Sequence, residues 1–350
     1  MDIKELVARA AARGASDIHL VAGLPPKMRV DGALTELAEE SLSAADCEEL
    51  AGTLAGERAF ERMGNIGELD FADTIAGERV RVNLFRQQGR VSAALRILSS
   101  RIPELSSLGL PAAVERFPAC KKGIILVTGE TGSGKSTTLA AILQRINETR
   151  PVHIITLEDP IEYIYQPRRA VVNQREIGTD TRSYADGLRA VLREDPDIIL
   201  IGEMRDAETI GIALTAAETG HLVFATLHTN SAPDSVDRIV SAFPADQQPQ
   251  IRMKLSTTLR GILSQQLVMR RGGRGRCAAC ECMINTPAIA NLIREGKTPQ
   301  MYTSMLAGTG AGSLTMDNCL IQLASDGSIE RETAAEAAND AEYVRRKLLM

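Results

Sequence analysis

The sequence predicts an α/β protein of two domains, a larger one of alternating strands and helices preceded by a smaller α+β one. Its 350 residues are enough for about two domains. With no Trp and only 3 % aromatic residues, the cores must be built mainly from aliphatic side chains. From residue 118 onward, short continuous apolar runs, typical of strands buried on both faces, alternate with helical patterns.

Residues 1–98 are predicted to form the small α+β domain. We expect an amphipathic helix over 1–14, a helix over 43–63 that Ser43 and Asp46 begin with a capping box, and an Asp31-Gly32 hairpin turn. Strands are predicted at 17–21, 27–30, 68–75, 78–86 and 90–98. Residues 99–117, rich in Ser and Pro, are predicted to be a linker to the second domain, 118–350, whose C-terminal part is helical.

The hairpin predicted over 78–98 places two arginines face to face. Val80 and Val82 alternate with polar residues, so the arginines lie on the other face from the valines. If Gln88-Gly89 is a two-residue turn, Arg81 pairs directly with Arg96. Because like charges across strands are destabilising, either nearby carboxylates neutralise the pair or an anion such as a phosphate group binds it. The sequence leaves both interpretations open.

The segment GETGSGKST, 129–137, has the phosphate-binding pattern G-x-x-x-x-G-K-[ST] between an apolar strand, 123–128, and a helical pattern that extends to Ile146. In such a loop, backbone N–H groups surround the α- and β-phosphates, the lysine reaches the β- and γ-phosphate oxygens and the serine ligates Mg²⁺. The start of the helix adds partial positive charge. We therefore expect ATP and Mg²⁺ as ligands, bound by Gly129, Thr131, Gly132, Ser133, Gly134, Lys135, Ser136 and Thr137.

Carboxylates are predicted at the ends of two later strands, where open α/β sheets bind ligands. Glu158, Asp159 and Glu162 follow the strand at 152–157, and Glu203 ends the apolar run 197–203. An acid in the latter place, downstream of a phosphate loop, is expected to position Mg²⁺ and water. Because Gly202 stands where an Asp is usual, we expect Glu203 to act on Mg²⁺ through water.

Two histidines, His221 and His228, bracket the next predicted strand, 221–227. We expect them to be directed at the same edge of the sheet and His228 to sense the γ-phosphate, although a lone histidine is more often structural.

Further helices are predicted at 233–240, 249–268 and 288–295, with others after 314. Between them, 276–284 is predicted as a strand, and 270–276 includes a solvated hairpin loop. Cys277, Cys280 and Cys282 form C-x-x-C-x-C, but no fourth Cys or His follows at the spacing of a zinc site, so we expect buried thiols.

Charge and hydropathy limit the classes of partner. A net charge of −5 and a pI near 5.6 show no basic excess, so nucleic acid is not an expected partner. No uncharged apolar run approaches the roughly 18 residues of a membrane span, and the N-terminus lacks the apolar core of a signal peptide. We expect a cytoplasmic protein with at most peripheral membrane contact.

Four motifs in this order resemble the type II/IV secretion ATPases: the phosphate loop, ITLEDPIEY (155–163), LREDPDIILIGEMRD (192–206) and HLVFATLHTNSA (221–232). SDIHL (16–20) and PPKMRVDG (25–32) are similar to the PilT branch, the retraction ATPases of type IV pili. Extension ATPases of the PilB and GspE kind usually carry longer N-terminal regions and a four-cysteine zinc site, which this sequence lacks. The resemblance implies a RecA-like P-loop ATPase core preceded by a small α+β (PAS-like) domain.

The resemblance also implies a function, a Mg-ATP-hydrolysing motor that retracts type IV pili. It implies a homo-hexamer, peripheral at the inner membrane, with nucleotide between the two domains and an inner-membrane pilus platform protein as partner. In such a motor Arg81 and Arg96 reach the phosphates. Glu162 activates the attacking water, with Glu158 as the second choice, while Glu203 serves Mg²⁺ and His228 reads the γ-phosphate.

One departure leaves other functions open. AIANLIRE (288–295) resembles the retraction motif AIRNLIRE, but Ala290 stands where that motif has Arg. An accessory paralogue of the PilU kind, which could also be a paralogous motor partner, therefore remains an alternative, as does an assembly or secretion motor. A nucleotide-controlled scaffold without turnover is the alternative from another class, and the presence of Lys135, Glu162 and Glu203 argues against it.

Overall fold

The computed structural model of the chain describes residues 2–30, 32–56, 60, 63, 67–98 and 101–349. The chain divides into two units, each with its own sheet and its own apolar core. The first unit comprises Met1–Arg101 together with Pro160–Ile164, and the second comprises Ile102–Asp159 and Tyr165–Met350. A short segment that follows a strand of the second unit therefore belongs to the first.

The first unit is a six-stranded antiparallel sheet with its helices; five of the strands were predicted, and β3 was not. Helix α1 is Ile3–Ala12 and α2 is Ala44–Ala55, and the sheet has the order β3-β2-β1-β6-β5-β4. The strands are β1 Asp17–Val21, β2 Lys27–Val30, β3 Ala33–Glu36, β4 Glu68–Ile75, β5 Glu78–Gln87 and β6 Arg90–Leu98. Val30 pairs with Ala33, which confirms the first hairpin, while Asp31 lies outside the described residues.

The helix predicted over 43–63 is interrupted at Gly56 in the structure, and Phe60 and Met63 beyond it are again helical. The predicted capping box is present, since Ser43 accepts from the Asp46 N–H and Asp46 accepts from the Ser43 N–H. The helix ends at Ala55, because Gly56 adopts φ 73°, ψ 156°, a non-helical conformation that glycine reaches more easily than other residues. Residues 57–59 and 61–62 of the predicted helix lie outside the described part.

The second unit is a seven-stranded sheet with the order β13-β12-β7-β11-β10-β8-β9. All neighbours are parallel except β12 and β13. The strands are β7 Gly123–Thr128, β8 His153–Glu158, β9 Val171–Glu176, β10 Ile198–Ile201, β11 Leu222–Leu227, β12 Leu259–Met269 and β13 Arg276–Ile284. Strands β7, β10 and β11 are buried along their whole length, which explains their continuous apolar sequences.

Ten helices of the second unit are described. They are α3 Lys135–Thr149, α4 Tyr184–Val191, α5 Ala207–Glu218, α6 Ala232–Ser241, α7 Gln248–Thr258, α8 Pro287–Glu295, α9 Met301–Ala307, α10 Met316–Ser325, α11 Arg331–Glu336 and α12 Ala341–Leu349. In the predicted linker and just beyond its end, 3₁₀ turns form at Leu105–Leu108 and Ala112–Ala119, and this stretch belongs to the second unit from Ile102 onward. None of the helices among the described residues is long and apolar enough to span a membrane.

One predicted helix in this unit is wrong, and one strand was not predicted. The predicted helix 249–268 ends at Thr258, and the chain continues as β12 between β7 and β13. A buried strand in the middle of a sheet has the same continuous apolar pattern as a buried helix. At Gly261 of this strand a Cβ would lie only 3.0 Å from the Phe117 ring, so the residue without a side chain suits the position. No strand was predicted at β9, because an edge strand carries little apolar pattern.

The strand over Arg276–Ile284 is confirmed, and so is the hairpin loop before it, since Met269 pairs with Arg276. Cys280 and Cys282 are fully buried and Cys277 is half-buried. Burial raises the pKa of all three thiols. Such thiols behave as small apolar groups.

Candidate nucleotide site

The phosphate loop connects β7 to α3, as the motif predicts. Its three glycines have positive φ, 139° at Gly129, 81° at Gly132 and 93° at Gly134. A Cβ at Gly129 would lie 2.2 Å from the backbone oxygen of Gln265, so only glycine fits against strand β12 there. Gly134 is the N-cap of α3, which directs the unpaired N–H groups of that helix into the loop.

The lysine of the loop is folded over it. Lys135 Nζ donates to the backbone oxygens of Gly129 at 2.7 Å and Glu130 at 2.8 Å, and the side chain is only 8 % exposed. Ser136 is exposed at the first turn of α3 and Thr137 is half-exposed. The amine and both hydroxyls thus lie at the start of one helix, next to the backbone N–H groups that an anion would contact.

Glu203 lies at the same edge of the sheet, directly after β10, and is at the centre of a charged cluster. Its Oε2 is 2.7 Å from Arg205 Nη2, and its Oε1 is 3.3 Å from His228 Nε2. Burial acts to raise the pKa of Glu203, but the hydrogen bonds and charges of Arg205 and His228 outweigh it, so the pKa is lowered. The carboxylate therefore stays ionised at neutral pH. Asn230 Nδ2, two residues beyond His228, lies 3.5 Å from Glu130 Oε1 in the phosphate loop.

The absence of the usual acid before Glu203 has a steric reason. A Cβ at Gly202 would lie 2.8 Å from the Tyr184 hydroxyl and 3.1 Å from the Leu157 backbone oxygen. Tyr184 begins α4, and burial, followed by the negative charges of Asp159 and Glu203, raises its pKa. The tyrosine hydroxyl thus occupies the space of the missing side chain, and the sequence pattern gave no signal for it.

The two candidate bases differ in their surroundings. Glu158, the last residue of β8, accepts at Oε1 from Thr156 at 2.6 Å and from Gln174 at 3.2 Å, so it is held within the sheet. Glu162 belongs to the first unit and its side chain is half-exposed. No hydrogen bond found within the described part of the chain involves the Glu162 carboxylate. A base that must receive a proton from water needs such a free carboxylate.

The prediction that both histidines are directed at one edge is wrong. His228 follows the carboxyl end of β11, beside Glu203, whereas His221 precedes the amino end of that strand. There the His221 backbone oxygen accepts from Gly123, the first residue of β7, and its Nδ1 is 2.9 Å from the Ala216 backbone oxygen. The residues that precede and follow a strand lie at its opposite ends. His221 is therefore at the end of β11 away from Glu203, where its contacts are structural.

The predicted register of the arginine hairpin is confirmed, since Arg81 is directly opposite Arg96 on β5 and β6. Each arginine has a carboxylate partner, Asp70 for Arg81 and Asp17 for Arg96, the latter at 3.1 Å. Neutralisation by nearby acids, one of the two interpretations that the sequence left open, is therefore present. Both guanidinium groups remain more than a third exposed, at 40 % and 66 %.

A cavity of about 410 Å³ opens beside the phosphate loop within the second unit. Its lining includes loop residues 130–133 together with Gln265, Arg276 and Asn339. Gln265 Oε1 is buried and has no hydrogen-bond partner among the described residues. The volume is within the range of small-molecule sites. Gln265 lies in the stretch predicted as helix, so the sequence did not single it out.

The residues present fit a Mg²⁺ ion. Mg²⁺ usually keeps several waters and is bound through one or two protein oxygens and the phosphates of its substrate. The exposed Ser136 hydroxyl supplies one such oxygen, and the ionised Glu203 carboxylate can accept hydrogen bonds from the waters that the ion keeps. In the described ranges no three His, Cys, Asp or Glu residues cluster as a metal site, so a nucleotide would have to supply the other ligands.

Comparisons with known proteins identify the family of the chain. The family model for Type II/IV secretion system proteins matches residues 1–347. The chain is 47 % identical over 339 residues to the type IV pilus retraction ATPase PilT of Pseudomonas aeruginosa, with 97 % of this chain and 98 % of that protein covered. It is 40 % identical over 344 residues to the type IV pilus ATPase PilU of the same organism, with 97 % and 90 % covered.

A crystal structure of the pilus retraction motor PilT with bound ADP superposes on the chain with a TM-score of 0.93. That protein is 48 % identical, and 99 % of each chain is covered. The predicted fold, a P-loop ATPase core with a small N-terminal α+β domain, is confirmed by this similarity. The chain therefore belongs to the family of Type II/IV secretion system proteins, as an ATPase of the branch that contains PilT.

Proposed function

We propose that this chain is a Mg-ATP-driven motor that retracts type IV pili. The observation that carries the proposal is the convergence of the phosphate loop, Glu203 and His228 at one edge of the sheet in the second unit. An anion cradle with its lysine and an ionised acid that can act on Mg²⁺ are recurring parts of sites that hydrolyse a nucleoside triphosphate. The similarity to PilT over 97 % of the chain supports retraction as the work done.

The residues divide the chemistry as follows. The backbone N–H groups of 129–134 and Lys135 bind the phosphates. Ser136 would ligate Mg²⁺ and Glu203 would act on the ion through water, and the ion would neutralise developing phosphate charge. Glu162 removes a proton from the attacking water, with Glu158 the second choice because its carboxylate is already engaged. His228 senses the γ-phosphate.

Arg81 and Arg96 contribute positive charge to the transition state, since catalysis of phosphoryl transfer is mostly positioning and electrostatics. The exposure of both guanidinium groups supports this role, because each can exchange its present carboxylate for a phosphate oxygen.

The assembly we propose is a homo-hexameric ring in the cytoplasm, peripheral at the inner membrane, which drives a pilus platform protein. An accessory motor of the PilU kind is the second candidate. It is favoured by Ala290, a half-exposed residue of α8 in place of the Arg of the retraction motif.

Deletion of the gene tests the direction of work. We expect surplus surface pili and lost twitching, restored by the wild-type gene and not by Lys135→Ala. Cells without pili would overturn retraction in favour of assembly. Normal twitching that is lost only together with a second motor gene would favour the accessory role.

A further inference from the structure

Arg79, a residue that no motif singles out, holds the backbone beside Glu162. Its Nε and Nη2 donate to the backbone oxygen of Ile161 at 3.0 and 2.8 Å. The two residues are 82 positions apart in the chain and both belong to the first unit. Two converging hydrogen bonds from a charged donor are among the stronger polar contacts of a protein.

The geometry of the sheet fixes where this contact lies. Val80 and Val82 are fully buried in the core of the first unit, so Arg79 and Arg81 extend from the opposite face of β5. The Ile161 carbonyl group is thus attached to the face that carries the Arg81–Arg96 pair. The Ile161 side chain is itself 8 % exposed, so this residue is held by both its backbone and its side chain.

The peptide group that contains the Ile161 carbonyl also contains the Glu162 nitrogen, and it is planar. Fixing that carbonyl therefore fixes the direction in which the chain enters Glu162. The preceding strand β8 ends at Glu158 in the second unit, while 160–164 belongs to the first. The hydrogen bonds of Arg79 therefore hold this segment to the first unit.

We propose that Arg79 is a positioning residue for ATP hydrolysis: its guanidinium holds the 161–162 peptide and thereby aims the Glu162 carboxylate at the attacking water. The inference rests on the proposed function, in which Glu162 is the base. It implies that the base, Arg81 and Arg96 are all carried by the first unit, whereas Lys135, Glu203 and His228 are carried by the second.

Arginine is the residue type that this role requires. The guanidinium presents two N–H groups in a fixed plane, whereas a lysine ammonium would donate one bond on a flexible stem. A displacement of about 1 Å in a catalytic group costs about 10²-fold in rate. We expect Arg79→Ala to lower kcat about 100-fold and Arg79→Lys to lower it about 10-fold. The Kd for nucleotide should be nearly unchanged in both variants.

The test is a double-mutant cycle in the full-length protein, combining Arg79→Ala with Glu162→Gln. If Arg79 acts through Glu162, adding Arg79→Ala to Glu162→Gln lowers kcat by less than about threefold. Equal losses in both backgrounds, or an unchanged kcat in the single variant, would overturn the proposal. Arg86→Ala, an exposed arginine on the same strand, is the matched control and should leave kcat unchanged.

Amide hydrogen exchange tests the contact without relying on turnover. We expect Arg79→Ala to speed exchange in 160–164 and leave 153–158 unchanged, with the Tm of the variant close to wild type. Unchanged exchange in 160–164 would overturn the proposal whatever the kinetics show. Turnover of the wild type no faster than that of Lys135→Ala would refute the proposed function, and the exchange result would still decide whether Arg79 holds the segment.

Discussion

His228 Nε2 lies 3.3 Å from Glu203 Oε1, while the other oxygen of that carboxylate is bound by Arg205 at 2.7 Å. The Glu203 side chain is 18 % exposed, so these contacts are partly shielded from water. Together they place an ionised acid and an imidazole at the carboxyl ends of two adjacent strands, on the edge from which the phosphate loop also extends.

The lowered pKa of Glu203 predicts a pH-dependent effect of removing Arg205. A carboxyl group whose pKa is lower in the folded protein contributes stability above its unfolded value of 4.5, and loses it as the pH falls through the folded pKa. Arg205→Ala should therefore lower the free energy of unfolding at neutral pH, and the difference from wild type should disappear in acid.

Urea unfolding at a series of pH values measures this difference. Arg182→Ala, which removes an exposed arginine of the same unit, is the control and should show little dependence on pH. A difference for Arg205→Ala that is constant between neutral and acidic pH would contradict the assignment of its partner as Glu203.

The paired arginines of the first unit should matter for turnover and little for folding. Exposed ion pairs contribute about 0–1 kcal/mol. The Arg81 pair is of this kind, and Asp17, although only 18 % exposed, keeps Ser16 as a hydrogen-bond donor when Arg96 is removed. We expect Arg81→Ala or Arg96→Ala to cost at most about 1 kcal/mol of unfolding free energy but about 10³-fold or more in kcat.

ATPase assays and denaturant unfolding of the same preparations check this, with Arg86→Ala as a control for loss of positive charge. If both arginine variants turn over ATP as fast as wild type and only their free energy of unfolding is lowered, the arginines serve only to pair with Asp70 and Asp17 in the sheet.

A side chain at Gly202 should be poorly tolerated because of Tyr184. The Cβ of Gly202→Ala would lie 2.8 Å from the tyrosine hydroxyl, and overpacking of this kind costs about 1–3 kcal/mol. Adding Tyr184→Phe removes the hydroxyl and should restore part of the lost free energy of unfolding. Simple additivity of the two substitutions in thermal or urea unfolding would show that the hydroxyl is not what excludes a side chain.

Local pattern predicted some features of the site well. The Arg81–Arg96 pairing followed from strict alternation in two strands and the length of the turn between them, since these fix the register of a hairpin. The phosphate loop followed from its glycines, whose positive φ values few other residues adopt.

Features that depend on distant parts of the chain were not predictable. Strand β12 has the same apolar pattern as a buried helix, and only its partners β7 and β13 decide between them. Likewise, nothing local indicates that Ile161 is bound by a residue 82 positions earlier. The prediction for His221 was wrong because this residue precedes β11 and His228 follows it, so the two histidines lie at opposite ends of the strand.

The most direct test of the central claim is ATP turnover by the purified full-length protein with Mg²⁺, compared with Lys135→Ala. Lys135 is the one amine inside the phosphate loop among the described residues, so its loss should lower kcat/KM by at least about 10²-fold while the fold is retained. Wild-type turnover well above that of the variant is the result we predict. Equal turnover in the two proteins would contradict the assignment of the chain as an ATP-hydrolysing motor.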